Sequence, residues 1–262
     1  MLNVTALALP QAQMTYLAGE QSTIDANATY QHKVSSAAER WAGKSRAHFS
    51  VIRKTLESMC TGHNRCVYCE DSAADEVEHI KPKNIYPSDA FLWDNYIFSC
   101  GPCNGPKGNK YAVIDAGGTF VRIDRNRNDP IVPPPHGQDG FINPRVSNPM
   151  DYIFLDLSTF FFVALPTLNQ NDTKKAIFTI LVLRLNIREH LVENRKNAYN
   201  QFLSCIISYI KLKEDSADAK KLNSVKSTIA KSPHKTVWEE MKRQRGNNAY
   251  LATLFNAAPE LL

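Results

Sequence analysis

Four cysteines in two pairs, Cys66-x-x-Cys69 and Cys100-x-x-Cys103, carry the most definite chemistry in this chain. Each pair places two thiolates on one tight turn. Four thiolates close a tetrahedron around Zn²⁺ with no open coordination position, so the expected ion is structural rather than catalytic. It would pin residues 65–70 against residues 99–107 in a segment with little core of its own. A redox dithiol would stand alone in a βαβ setting, and these two pairs do not. Cys60 and Cys205 fall outside the pattern and read as small buried hydrophobes. Between the pairs lie Asp75-Glu76-Val77-Glu78-His79-Ile80-Lys81-Pro82-Lys83 and Trp93-Asp94-Asn95-Tyr96, and the second pair runs on into Asn104-Gly105-Pro106-Lys107-Gly108-Asn109-Lys110. An imidazole titrates near ~6.5, so His79 suits proton abstraction at cellular pH. The adjacent Glu78 offers a hard carboxylate oxygen to a cation. Residues 70–94 hold seven acids against Lys81 and Lys83, which suits cation capture and not unaided binding of a polyanion.

The elements that must position these groups are only partly periodic. With 262 residues and 43% hydrophobic content the chain can bury a core, and 14 Pro and 11 Gly exclude a collagen-like or low-complexity polymer. Its longest apolar runs, 160–165 and 176–183, fall far short of the ~20 residues of a membrane span. The opening MLNVTALALP has no positive n-region and too short an apolar run for a secretory signal. A cytoplasmic address with mostly reduced thiols is expected. Four regions are read: a partly helical 1–62, the cysteine-bearing 63–116, a Gly- and Pro-rich connector 117–150, and a helical 151–262. Within the first, 37–59 reads as one helix through Ala38, Trp41, Phe49, Ile52, Leu56 and Met59. A hairpin is expected around 119–123. In the last, Asn186 followed by Glu189 resembles a capping box ahead of a long amphipathic helix with Ile187, Leu191, Ala198, Phe202, Cys205 or Ile206, and Tyr209 on one face. Further helices are expected at 216–231 and 236–243, with Pro233 ahead of the second. Residues 174–245 carry 16 Lys or Arg against 7 Asp or Glu, although the whole chain is only +5, so the tail is basic and the front is not.

The string C-x-x-C, E-H-I-x-P, W-x-N, C-x-x-C-N-x-x-K resembles the HNH endonucleases of the ββα-metal fold, over about fifty residues. A wider set, RCVYCED, EHIKPK, FLWDNYIFSCGPCNGPKGNK, INPR-x-x-NP and LRLNIREHLVENR, resembles the PtuB-like HNH component of Septu and retron-associated anti-phage systems. The resemblance implies hydrolysis of DNA phosphodiesters leaving 5′-phosphate ends, a PtuA-like partner ATPase of the ABC or SMC type, and a phage or plasmid DNA substrate. His79 then becomes the general base. Asn104, directly after the last cysteine, becomes a ligand of a catalytic cation beside Glu78, and two oxygen donors with water and phosphate suit Mg²⁺ or Mn²⁺. Such a cation polarises the phosphoryl oxygen and stabilises the leaving alkoxide. Asn95 matches the middle Asn of the motif, whose amide bridges backbone groups around the histidine loop. Lys107 and Lys110 are placed on substrate phosphates, assisted by Lys81 and Lys83, and Trp93 packs beneath the finger.

Three departures from the family pattern stand out. Asn104 replaces the closing His, Glu78 replaces the usual Asp, and Pro106 requires the finger's helix to start close to it or kink. DNA affinity is expected from the basic tail or a partner. His32, His48, His63, His136, His190 and His234 are given no role. The fold expected is α+β, a zinc-braced ββα-metal finger embedded in a mostly helical body. A zinc-finger module that binds nucleic acid or protein without catalysis, and a toxin-like RNase on the same finger, are the rival readings.

Overall fold

The structure, a computed structural model, describes residues 1–60, 64–126 and 128–262; the expected boundary at 62/63 and His63 lie outside them. Three helices open the chain, α1 (Gln11–Asp25), α2 (Tyr30–Ala42) and α3 (Arg46–Ser58). The single helix expected over 37–59 is therefore two. Gly43 ends α2, and Ser45 begins α3 by accepting a hydrogen bond from the His48 amide at 3.4 Å. Small turn-forming residues punctuate a continuous apolar period and turn its second half to a new direction.

The finger follows. Strand β1 (Glu76–His79) pairs antiparallel with β2 (Tyr96–Ser99), matching Glu76 to Ser99 and His79 to Tyr96, and α4 (Gly101–Lys107) packs on β1. Pro106 falls in the last turn of α4. Neither an early start at Pro106 nor a kink is needed, because the N–H it lacks affects one turn and Gly108, at φ +43°, ends the helix there. Helix α3 packs against both β1 and β2, so the N-terminal helices form one wall around the finger.

Strand β3 (Lys110–Ile114) then pairs with β4 (Phe120–Asp124), the expected hairpin, and on its other edge with the short β5 (Gln138–Asp139). A second hairpin joins β6 (Ile153–Leu155) to β7 (Phe162–Ala164). The C-terminal half is helical: α5 (Gln170–Val182), α6 (Glu189–Glu214), α7 (Ala219–Lys231), α8 (Lys235–Gln244) and α9 (Ala249–Ala257). On α6 the buried stripe is Leu191, Arg195, Ala198, Phe202, Ile206 and Tyr209, whereas Ile187, expected on it, precedes the helix and is 65% exposed. Asn186 does not cap α6. Its side chain clamps β7 instead, accepting from the Phe162 amide at 2.9 Å and donating to the Phe162 carbonyl at 2.7 Å. The chain is thus a mixed helix and strand protein around one continuous apolar core that includes the finger, α3 and α6. Among the described residues no helix is long and apolar enough to cross a membrane.

Candidate active site

The first cysteine pair sits on a turn that only a left-handed residue can close. Glu70 takes φ +61°, its amide bonds back to the Cys66 carbonyl at 2.8 Å, and the Val67 amide bonds to Phe98 on β2 at 3.2 Å. The second pair is the first turn of α4, where the Cys103 and Asn104 amides both bond to the Cys100 carbonyl. All four sulfurs lie within 4.8 Å of one another and all four residues are buried. Cys69 and Cys100 are 3.8 Å apart between sulfurs, and thiolates held ~2.3 Å from one tetrahedral ion stand at about that spacing. The donor set therefore fits a closed Zn²⁺ site. Burial pushes the Cys66 thiol well above its ordinary range, while hydrogen bonds from Cys100 and the other sulfurs pull Cys69 down, as thiols do when they share protons that a cation would displace. Arg188, unforeseen from sequence, donates to the Cys103 sulfur at 3.1 Å and would offset the excess negative charge of four thiolates around one dication.

His79 ends β1 on the face opposite Glu78, because side chains alternate along a strand. Its ring lies edge-on to Trp41 of α2 at 4.2 Å and to Tyr96 at 5.3 Å, and its Nε2 is 2.9 Å from the Ala90 carbonyl. A carbonyl only accepts, so Nε2 carries the proton and Nδ1 the lone pair. Burial, aided by the charge of Lys83, lowers the imidazole pKa to about 3, which keeps the ring neutral at cellular pH.

The loop behind His79 is held by Asn95, buried in a single helical turn ahead of β2. Its Oδ1 accepts from the Lys81 amide at 2.7 Å, and its Nδ2 donates to the Lys81 and Asp89 carbonyls at 2.9 and 2.8 Å. An Asn95→Ala variant removes the bonds to the Lys81 amide and carbonyl and one of the two on the Asp89 carbonyl, which keeps the Leu92 amide. It is expected to lose roughly 3 kcal/mol of stability in urea unfolding, with Asn95→Asp intermediate because a carboxylate keeps the acceptor and loses both donors.

Glu76 and Glu78 project from β1 toward α4. Asn104 donates to the Glu76 carboxylate at 2.5 Å, whereas Glu78 is paired with Lys107 at 2.6 Å. Glu78, expected beside Asn104, is thus drawn to Lys107, and Glu76, not singled out from sequence, is the carboxylate at the amide. Burial raises the Glu78 carboxyl above its ordinary range although Lys107 opposes the shift. Lys107 itself is 0% exposed and also donates to the His79 carbonyl at 2.8 Å. This corrects its expected place on substrate phosphates: α4 is short and turns this side chain inward. Lys110 likewise donates to the Pro106 carbonyl at 2.8 Å, and Lys81 pairs with Asp139 at 3.1 Å. Lys107→Ala is expected to destabilise the fold by about 3 kcal/mol, since it strands a buried carboxylate; a change confined to DNA affinity would refute the structural role.

Trp93 is buried, and its indole donates to the Leu7 carbonyl at 3.0 Å. Cys60 and Cys205 are half-buried and outside the cluster.

A two-stranded hairpin, a short helix and a Cys₄ cluster that fits Zn²⁺ define a ββα finger, and residues 66–110 match the HNH endonuclease family, so this segment is an HNH domain. Over 51 residues the chain is also 47% identical to the Septu protein PtuB of Bacillus thuringiensis. That match covers 18% of this chain and only 20% of the relative.

Proposed function

We propose that this chain is a metal-dependent nuclease that hydrolyses DNA phosphodiester bonds, leaving 5′-phosphate ends, with His79 as general base. What supports the reading is that one finger, in a segment that matches the HNH family, carries a neutral His79, the Asn95 clamp on its loop, and Asn104 beside the Glu76 carboxylate. Asn104 with Glu76 would hold Mg²⁺ or Mn²⁺, since amide and carboxylate oxygens suit a hard dication, and Glu78 would join them only on leaving Lys107. When bound, that ion supplies charge stabilisation at the phosphorus and at the departing oxygen. The chain's own groups do the rest. His79 takes a proton from water at Nδ1 while its Nε2–H stays anchored on Ala90; Asn95 fixes the turn that aims the ring; Trp41 excludes bulk water from one side. The likeness to PtuB supports a place in a Septu-type anti-phage system in the cytoplasm, acting with a PtuA-like ABC-type ATPase on phage or plasmid DNA.

Two observations favour a second reading, a nucleic-acid-binding finger without catalysis: Glu78 is paired with Lys107 and His79 is only 6% exposed. Plasmid nicking with Mg²⁺, against an EDTA control, separates the two. Magnesium-dependent product supports the nuclease, and bound but uncut DNA supports the finger.

A further inference from the structure

The groove beside Asn104, about 850 Å³, has two walls of opposite character. The finger's wall bears Asp75, Glu76 and Asn104. Facing it, the α2–α3 turn and the first turns of α3 bear Lys44, Arg46 and Arg53. We propose that this helical wall holds the substrate: Arg46 and Arg53 bind successive phosphates of a DNA strand lying along this groove. The proposal rests on the nuclease reading for which bond is cut, but not for where the strand lies.

Three observations support it. Three of the finger's four lysines are spent, since Lys107 is buried on Glu78, Lys81 pairs with Asp139 and Lys110 is held by the Pro106 carbonyl, and the fourth, Lys83, lies over the Trp41 ring and lines no part of this groove. A strand reaching Asn104 must therefore find its positive charge elsewhere. Arg46 and Arg53 are exposed, and among the described residues neither has a carboxylate at ion-pairing distance. Arg53 donates one N–H to the Asp75 carbonyl and rests over the Phe98 ring, which orients its fork beside the acidic wall with other donors left over. Finally, the basic helix α7 packs on α6, and its lysines line no part of this groove. The basic tail, expected to supply the DNA affinity, is thus displaced by a pair of N-terminal arginines. A carboxylate wall for cations facing a guanidinium wall for phosphates matches the charge pattern of a metal-bridged phosphodiester.

The test measures binding of a labelled DNA oligonucleotide to the full-length His79→Ala chain in Mg²⁺ by fluorescence anisotropy over a series of salt concentrations. The Arg46→Ala/Arg53→Ala variant should bind at least tenfold more weakly, with a log K against log salt slope shallower by about 2, one phosphate contact for each arginine. Arg46→Lys/Arg53→Lys should restore the slope, and Lys220→Ala/Lys221→Ala/Lys226→Ala should leave affinity and slope unchanged. Unchanged binding by the double alanine variant overturns the proposal even if the wild-type chain cuts DNA. A wild-type chain that never cuts, but whose double variant loses DNA, keeps this assignment and removes the nuclease reading.

Discussion

Replacing Cys69 by Ser should abolish stoichiometric zinc and unfold the finger. Structural Zn²⁺ contributes its binding free energy directly to folding, on the order of 10 kcal/mol or more in isolated fingers. This chain has an apolar core running through the finger, which keeps part of the fold when the ion is lost. A loss of at least about 5 kcal/mol is nevertheless expected, more than ~10 °C in Tm for a protein of this size. The effect should spread beyond the knuckles, because Arg188 ties Cys103 to the body and Val67 ties the first knuckle to β2. Metal analysis of purified wild-type protein should find one zinc per chain. A serine variant with an unchanged melting curve would sink the structural assignment, and so would wild-type protein that carries no zinc and melts as before.

The second large effect is on catalysis. His79→Ala is expected to lower cleavage by at least a hundredfold, and by as much as ~10⁴-fold, while zinc content and helical signal stay intact. The pH dependence follows from the lowered imidazole pKa. Folded His79 remains neutral until the pH falls through about 3, so cleavage should lack the acid limb near ~6.5 that an exposed histidine base gives. Stability runs the other way in that window. Below ~6.5 the unfolded chain's histidine takes up a proton that the folded one refuses, so stability should fall as the pH drops from ~6.5 toward 3, and this component should vanish in His79→Ala. Trp41→Ala exposes the ring and should move the acid limb of kcat/KM upward. Nicking by His79→Ala at the wild-type rate refutes the base assignment, and an acid limb already near 6.5 in the wild type refutes the buried, neutral ring.

Much of the site was legible in the residues themselves. The knuckle pairs are local: two cysteines three apart on a turn have few other uses, and their sulfurs do converge. Asn95 is a side chain whose donors and acceptor fit backbone, and it bonds the backbone of the histidine loop. The long apolar period of α6 was visible because 26 residues average over local exceptions. The short elements were not visible in this way. Helix α4 has seven residues with two prolines, too few for a period to tell its inward face from its outward one. For that reason Lys107 read as a surface cation and proved fully buried.

What the amino-acid order determined alone was the set of reactive groups and the local turns of the knuckles: the four thiols, the Glu78-His79 step, and Asn95 and Asn104. Tertiary structure decided which partners those groups meet. Packing α2 and α3 onto β1 put Trp41 against His79 and Arg46 and Arg53 opposite Asn104, across separations of roughly forty to sixty residues along the chain. The reason is physical: a short strand presents alternate side chains to two different neighbours, and only the fold specifies which neighbours stand there.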